Sequence, residues 1–210
     1  MMTIAPPILR LYHTTTSPYV RKVMAVANQL GLAAQIELLA SAAHPVKRDS
    51  RIATFNPIGK VPAAQTSDGQ LLFDSRVICE YLDDYAQGGL FPVGAQRWQA
   101  LARQALGDGL LDAALLARYE RLARPKELQS DAWYQAQLGK VQAALESIEQ
   151  QAPELASTPS DIGAITLGCA LGYLDFRFAD MDWRSHCPQA ARWFADFDAQ
   201  PAMIATRPHE

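Results

Sequence analysis

The sequence predicts a small α/β domain of order βαβ-ββα followed by an all-α, helical domain. Three observations carry this. Short runs alternating apolar and polar residues occur only before residue 74, a glycine-rich stretch breaks the periodicity over 87–95, and the rest repeats at helical spacing. Domains are therefore expected over 1–86 and 96–210, with 87–95 as the linker.

Ile8-Leu9-Arg10-Leu11-Tyr12 is expected as the first strand. Ser17-Pro18 then opens a helix: proline suits the first helical position, where its missing donor costs nothing, and leaves Ser17 as N-cap. Val20, Val23, Met24 and Ala27 follow at helical spacing, and Leu30-Gly31 is a stop signal. Gln35-Ile36-Glu37-Leu38-Leu39 alternates as a second strand, which makes a right-handed βαβ unit. Residues 40–56 are polar and basic and are expected as loop with a short helix. Asn56-Pro57-Ile58-Gly59-Lys60-Val61-Pro62 is a turn-rich approach to a strand over Ala63-Ala64-Gln65-Thr66. Ser67-Asp68-Gly69-Gln70 turns it into a partner, Leu71-Leu72-Phe73. Asp74-Ser75 stands before a helix expected to bury Val77, Ile78, Tyr81, Leu82 and Tyr85.

Beyond the linker, Trp98, Leu101, Ala105, Asp108, Asp112, Leu115, Tyr119 and Leu122 recur in steps of three and four, predicting one long helix that ends before Pro125. A second helix is expected over 131–151, with Tyr134, Leu138, Val141, Leu145 and Ile148 on one side. Thr158-Pro159-Ser160-Asp161 has the spacing of a capping box before a helix apolar enough to be the centre of a bundle. Residues 188–199 give a last amphipathic helix through Ala191, Trp193, Phe194 and Phe197.

A chain of 210 residues with 49% hydrophobic and 20% charged residues has the composition of an ordinary globular protein with a real core. Its formal net charge of −3 gives no general attraction to nucleic acid or to an anionic membrane, so neither is expected as a partner and any anion site must be local. No apolar run approaches a membrane span, and the N-terminus Met1-Met2-Thr3-Ile4-Ala5-Pro6-Pro7 lacks the regions of a signal peptide, so the cytoplasm is the expected location. Cys79, Cys169 and Cys187 form no CxxC pair; Cys79 and Cys169 lie among apolar residues and are expected as buried, reduced thiols. The four histidines show no metal-ligand spacing, so no metal is expected.

Chemistry is concentrated where strand gives way to helix. Tyr12-His13-Thr14-Thr15-Thr16-Ser17 supplies several hydroxyls at the positive end of a helix dipole, where an anion is stabilised. Asp74-Ser75 repeats that local chemistry at a second helix start.

Together, Ser17-Pro18-Tyr19-Val20-Arg21-Lys22-Val23, Asn56 through Pro62, Asp74-Ser75 and Thr158 through Asp161 resemble the cytosolic glutathione transferase family, across essentially the whole chain. Within it the chain looks most like bacterial proteins with an SP-(F/Y)-VRK motif. The resemblance implies a thioredoxin-like N-terminal domain, an all-α C-terminal domain, a homodimer, no permanently bound cofactor, and glutathione as cosubstrate. It implies that Ser17 hydrogen-bonds the glutathione sulfur, with Thr16 and Thr15 as rival hydroxyls. The thiolate would then attack an apolar electrophilic small molecule in a cleft between domains. By the same resemblance Val61-Pro62 is a cis-proline step that pairs with the cysteinyl backbone, Lys60 contacts the glycyl carboxylate, and Asp74 and Ser75 receive the γ-glutamyl end. Asp108 or Asp112 would reach the partner subunit's ligand, and Thr14, Leu115, Leu116 and Tyr119 would line the second-substrate site. Two other functions are consistent with such a fold: a non-catalytic binding or regulatory protein, and a glutathione-dependent thiol/disulfide oxidoreductase. The latter normally uses a cysteine where this chain has Ser17.

Overall fold

The structure, a computed structural model, describes residues 6–210; Met1 to Ala5, part of the stretch read for a signal peptide, lie outside the described residues. The chain packs as two units, one running to Gly89 and taking in Pro208–Glu210, the other Leu90–Arg207.

In the first unit β1 (Leu9–His13), α1 (Pro18–Gln29), β2 (Ile36–Ala40), α2 (Ser50–Ala53), β3 (Ala63–Thr66), β4 (Leu71–Leu72) and α3 (Ser75–Ala86) follow in order. The sheet order is β2-β1-β3-β4, with β1 parallel to β2 and antiparallel to β3, and β3 antiparallel to β4. This is the mixed sheet that the strand pattern predicts. Leu9 and Leu11 of β1 are buried, while Arg10 is exposed and pairs at 3.0 Å with Glu37, its register partner on β2. Gly31, at φ +70°, ends α1: its N–H donates to the Asn28 carbonyl, and the Leu32 N–H donates to the Ala27 carbonyl at 2.8 Å.

The buried face of α3 differs from the expected one. Ile78, Cys79 and Leu82 are buried, whereas Val77 and Tyr85 are exposed, and Tyr85 stacks on Tyr81 instead. The apolar residues form two adjacent stripes, and only packing chooses between them.

The second unit holds α4 (Ala95–Leu122), α5 (Asp131–Ser157), α6 (Ile162–Arg177), α7 (Trp183–His186), α8 (Pro188–Asp198) and α9 (Pro201–Ile204). Every residue from Ile162 to Leu174 is buried, as the all-round apolar character of α6 requires. Neighbouring helices approach it through glycines: a Cβ at Gly107 would meet Thr166 at 2.9 Å, and one at Gly168 would meet the Phe197 ring at 2.6 Å.

The long helix α4 is rotated from its predicted face. Its buried stripe is Ala100, Arg103, Gln104, Gly107, Asp108, Leu111 and Ala114, while Trp98 and Leu122 are exposed, because small residues that let α6 come close outweigh large ones that do not. Helix α5 continues past Gln151 and through Pro153 to Ser157, held there by buried Ala152 and Leu155. No reciprocal capping box forms either. Asp161 alone caps α6, accepting from the Ala164 N–H at 2.8 Å, and the Thr158 hydroxyl is spent on the Glu154 carbonyl at the end of α5.

Buried Glu120 closes the connection between α4 and α5, accepting the Ser130 N–H at 2.6 Å and an Arg124 N–H at 3.3 Å. The Ser130 bond and then the Arg124 guanidinium hold its carboxyl below the usual 4.5, against the opposing effect of burial. A depressed folded pKa contributes stability that is fully present above the unfolded value and lost as pH falls through the folded one. Thermal melts across pH should therefore find Glu120→Gln less stable than wild type at neutral pH, with the gap narrowing below 4.5. A gap that persists unchanged into acid would show that the charge is idle.

Candidate active site

The sheet brings three separated segments to one end of the first unit. β1 runs towards that end and leaves it at His13; β3, antiparallel and paired Tyr12 with Ala63, starts there; β4, antiparallel to β3, finishes there. The segments 14–17, 60–62 and 73–75 are therefore neighbours by topology, and α1 and α3 both begin at this end. Two positive helix ends thus serve one region, although 50 or more residues separate them in sequence.

Ser17 is the N-cap of α1: its Oγ accepts from the Val20 N–H at 3.3 Å, and its N–H donates to the Thr14 carbonyl at 3.3 Å. Accepting at the cap leaves the hydroxyl proton available, and it has no acceptor among the described residues. Thr15 is exposed, while Thr14, Thr16 and Ser17 are half-buried. Ser17 differs from Thr16 in lying at the end of the helix itself.

The Val61–Pro62 peptide is cis. Val61 is half-buried against Ile52, Phe55 and Ala63, and its backbone N–H and C=O make no hydrogen bond among the described residues. Asn56 sets the approach to it, donating from Nδ2 to the Lys60 carbonyl at 2.9 Å and accepting from the Ile58 N–H at 3.0 Å, with Gly59 at φ +72° completing the turn. Sequence reasoning took this stretch as a turn without singling out Asn56. The signal was an asparagine whose side chain can bond its own backbone two residues on, directly before proline. The Lys60 side chain is exposed.

At the third segment the Phe73–Asp74 peptide is also cis, and Asp74 caps α3, accepting from the Arg76 N–H at 2.9 Å. Ser75 is buried at the first helical position, and its hydroxyl has no hydrogen-bond partner among the described residues. The sequence reading also gave no role to Arg21 and Lys22, which are only 5% and 0% exposed in α1.

The remaining candidates divide between the units. Thr14 lies in the first. In the second, Asp108 is 3% exposed and faces the interior, whereas Asp112 is exposed, so of the two only Asp112 presents a carboxylate at the surface. Leu115 and Tyr119 are half-buried and Leu116 is exposed. Burial pushes the Tyr119 hydroxyl pKa up, against the pull of Arg118 and Arg177. No helix of the described residues is long and apolar enough to cross a membrane.

Comparison with known proteins adds a family. Residues 16–85 match the glutathione S-transferase N-terminal domain, and residues 131–196 match the glutathione S-transferase C-terminal domain. An uncharacterized GST-like protein of Escherichia coli (strain K12), YibF, is 29% identical over 206 residues, covering 95% of this chain and 98% of that protein. A glutathione transferase family member from Pseudomonas fluorescens Pf-5, solved with bound glutathione, is 44% identical with a TM-score of 0.93, over 96% of this chain and all of that one. Its structure with bound S-(propanoic acid)-glutathione gives 43% identity and a TM-score of 0.88 over the same shares.

Proposed function

Because the chain belongs to the glutathione S-transferase family, we propose that it is a glutathione transferase in which Ser17 holds the glutathione thiolate for attack on a small electrophile. The observation that carries this is the Ser17 hydroxyl proton, without an acceptor at the positive end of α1. A thiol of pKa about 8.5 is mostly protonated at neutral pH, so conjugation requires the thiolate to be stabilised. A donated hydrogen bond and the helix dipole both favour the charged form. The nucleophile belongs to glutathione, so serine needs no general base. The thiol proton goes to water, the sulfur forms a bond to an electrophilic carbon, and in a displacement the leaving group departs with its bonding pair.

The rest of glutathione is assigned by chemistry. The unbonded Val61 backbone pairs with the extended cysteinyl segment, a one-residue strand addition. The α3 N-terminus and Ser75 take the γ-glutamyl carboxylate, Asp74 the amine beside it, and Lys60 the glycyl carboxylate. The Pseudomonas relative supports this reading, since its structures hold both glutathione and a glutathione S-conjugate. Leu115, Leu116 and Tyr119 are assigned to the electrophile. The working form is read as a homodimer, and its location as the cytoplasm, in keeping with three buried cysteines that form no disulfide. Thiol/disulfide exchange is disfavoured because those cysteines are buried and lie outside 14–17.

Calorimetric titration tests the ligand. Glutathione should bind saturably, and Asp74→Ala should weaken it by about tenfold, the loss of one charge-assisted contact. Heat-silent, non-saturable mixing with wild type in both calorimetry and equilibrium dialysis would overturn the reading.

A further inference from the structure

The segment between β2 and α2 lies against the turn that leads into the cis-proline step. Asp49, the N-cap of α2, accepts the Ala42 N–H at 3.0 Å and an Arg51 guanidinium N–H at 2.8 Å. The His44 ring accepts the Val46 and Lys47 N–H groups at 3.1 and 3.0 Å, so residues 42–49 close on themselves. Arg51 first, and then the Ala42 N–H, hold the Asp49 carboxyl well below the usual carboxylate range, which keeps its charge committed there. Arg48, beside it, reaches instead to the turn: its Nη2 donates to the Pro57 carbonyl at 2.5 Å.

That carbonyl is the one the turn does not serve itself. Over Asn56-Pro57-Ile58-Gly59 the Gly59 N–H donates to the Asn56 carbonyl at 2.8 Å, and the Asn56 side chain takes the Ile58 N–H and the Lys60 carbonyl. Pro57 C=O receives no backbone N–H among the described residues. Gly59, at φ +72°, also makes room, since a Cβ there would stand 3.1 Å from Arg48 Cγ; the arginine stem thus lies on the glycine, one residue before Lys60. Val61 is fixed without this help, through its packing on Ile52, Phe55 and Ala63. Lys60 is not: its side chain is exposed and makes no ion pair among the described residues, so its aim depends on how firmly the turn is held.

We propose that Arg48 is a positioning residue for glutathione: by holding the turn at Pro57 and Gly59 it aims Lys60 at the glycyl carboxylate, and so sets a preference for glutathione whose glycyl end is ionised. This rests on the transferase reading for its ligand, while the hold on the turn stands on the first unit alone. A lysine carried by a held turn has less freedom to lose on binding, and the gain is collected only when a charge meets it.

The test uses the whole protein. Amide exchange followed by NMR without ligand reads the hold: the Gly59 N–H should exchange about fivefold faster in Arg48→Met, and Arg48→Lys, which keeps a charged donor, should fall between. Calorimetric titration then compares glutathione with its glycyl monoethyl ester, which differs only in that charge. Arg48→Met should bind glutathione about fivefold more weakly than wild type does, and the ester about equally. In Lys60→Met protein, adding Arg48→Met should cost less than about twofold more, because positioning is lost with the residue positioned. Arg48→Ala serves if the methionine variant melts early. A Gly59 amide indifferent to Arg48, or equal losses for glutathione and its ester, would overturn the positioning role and leave Arg48 as a surface charge. The full loss persisting without Lys60 would also overturn it, by showing that Arg48 acts on its own. Failure of wild type to bind either ligand would overturn the transferase reading and take this role with it, even where Gly59 exchange still follows Arg48.

Discussion

Ser17→Ala is expected to bind glutathione and fail to ionise it: the pKa of the bound thiol moves back towards about 8.5, and conjugation at neutral pH falls roughly 10²-fold, as when one preorganised donor to a developing anion is lost. The helix end remains in the variant, but a dipole contributes only about 0.3–1 kcal/mol, too little to replace a donated hydrogen bond to a full charge. The substitution also removes the α1 cap, worth about 1 kcal/mol, so slow turnover by itself could reflect fraying. Ser17→Gly separates the two effects, because glycine caps within a few tenths of a kcal/mol of serine and has no hydroxyl. Both variants should lose thiolate absorbance in a pH titration of bound glutathione, and Thr16→Val should keep it. A bound thiol whose pKa is the same in wild type and Ser17→Gly would remove Ser17 from the chemistry. A loss in Thr16→Val instead would move the role one residue upstream.

Gly163→Ala is expected to destabilise the helical unit by about 2 kcal/mol, although local propensity predicts the opposite sign. Alanine in a helix interior is favoured over glycine by about 1 kcal/mol. Here, however, a Cβ would stand 2.6 Å from Arg103 Cβ and 2.8 Å from the Ala100 carbonyl oxygen, and the backbone of α4 cannot yield as a flexible side-chain tip would. Relieving the contact means parting α4 from α6 along the most buried seam of the unit, which costs more than propensity returns. Gly139→Ala is the control: nothing lies within 4 Å of its Cβ, so propensity acts alone and the variant should gain up to about 1 kcal/mol. Chemical denaturation of both variants measures the difference. Equal stabilisation in the two would mean that the α4–α6 contact is not as close as described.

The contrast between these glycines shows what a sequence can carry. Both occupy helices, both weaken them locally, and nothing adjacent in the chain separates them; only the carbonyl of Ala100 does. The faces of α3 and α4 were misread for a related reason. Trp98 and Leu122 are large and apolar at helical spacing, yet burial on α4 goes to Ala100, Gly107 and Ala114, because small residues allow the closest approach to α6. Periodicity records which positions are apolar and not how near a neighbour comes. The end of α5 was set early at Gln151 because Pro153 is a local stop, and tertiary burial of Ala152 and Leu155 overrides it. The paired Thr158 and Asp161 had the spacing of a box, but the hydroxyl of the first turned back to the helix it leaves.

What the sequence determined by itself was local in origin: the Ser17-Pro18 cap, the Gly31 stop, the hairpin at Gly69, the succession of strands and helices along the first unit and the apolar centre of the second. Each follows from a backbone group and a side chain a few residues apart, or from a repeat along one element. Tertiary structure alone decided that His13, Val61 and Asp74 come to one end of the sheet, and that α4 and α6 run in the same direction with Gly107 against Thr166 and Gly163 against the Ala100 carbonyl. Strand direction and helix register set those meetings, and both are fixed by contacts between residues far apart in the chain, whose free energy no single segment contains.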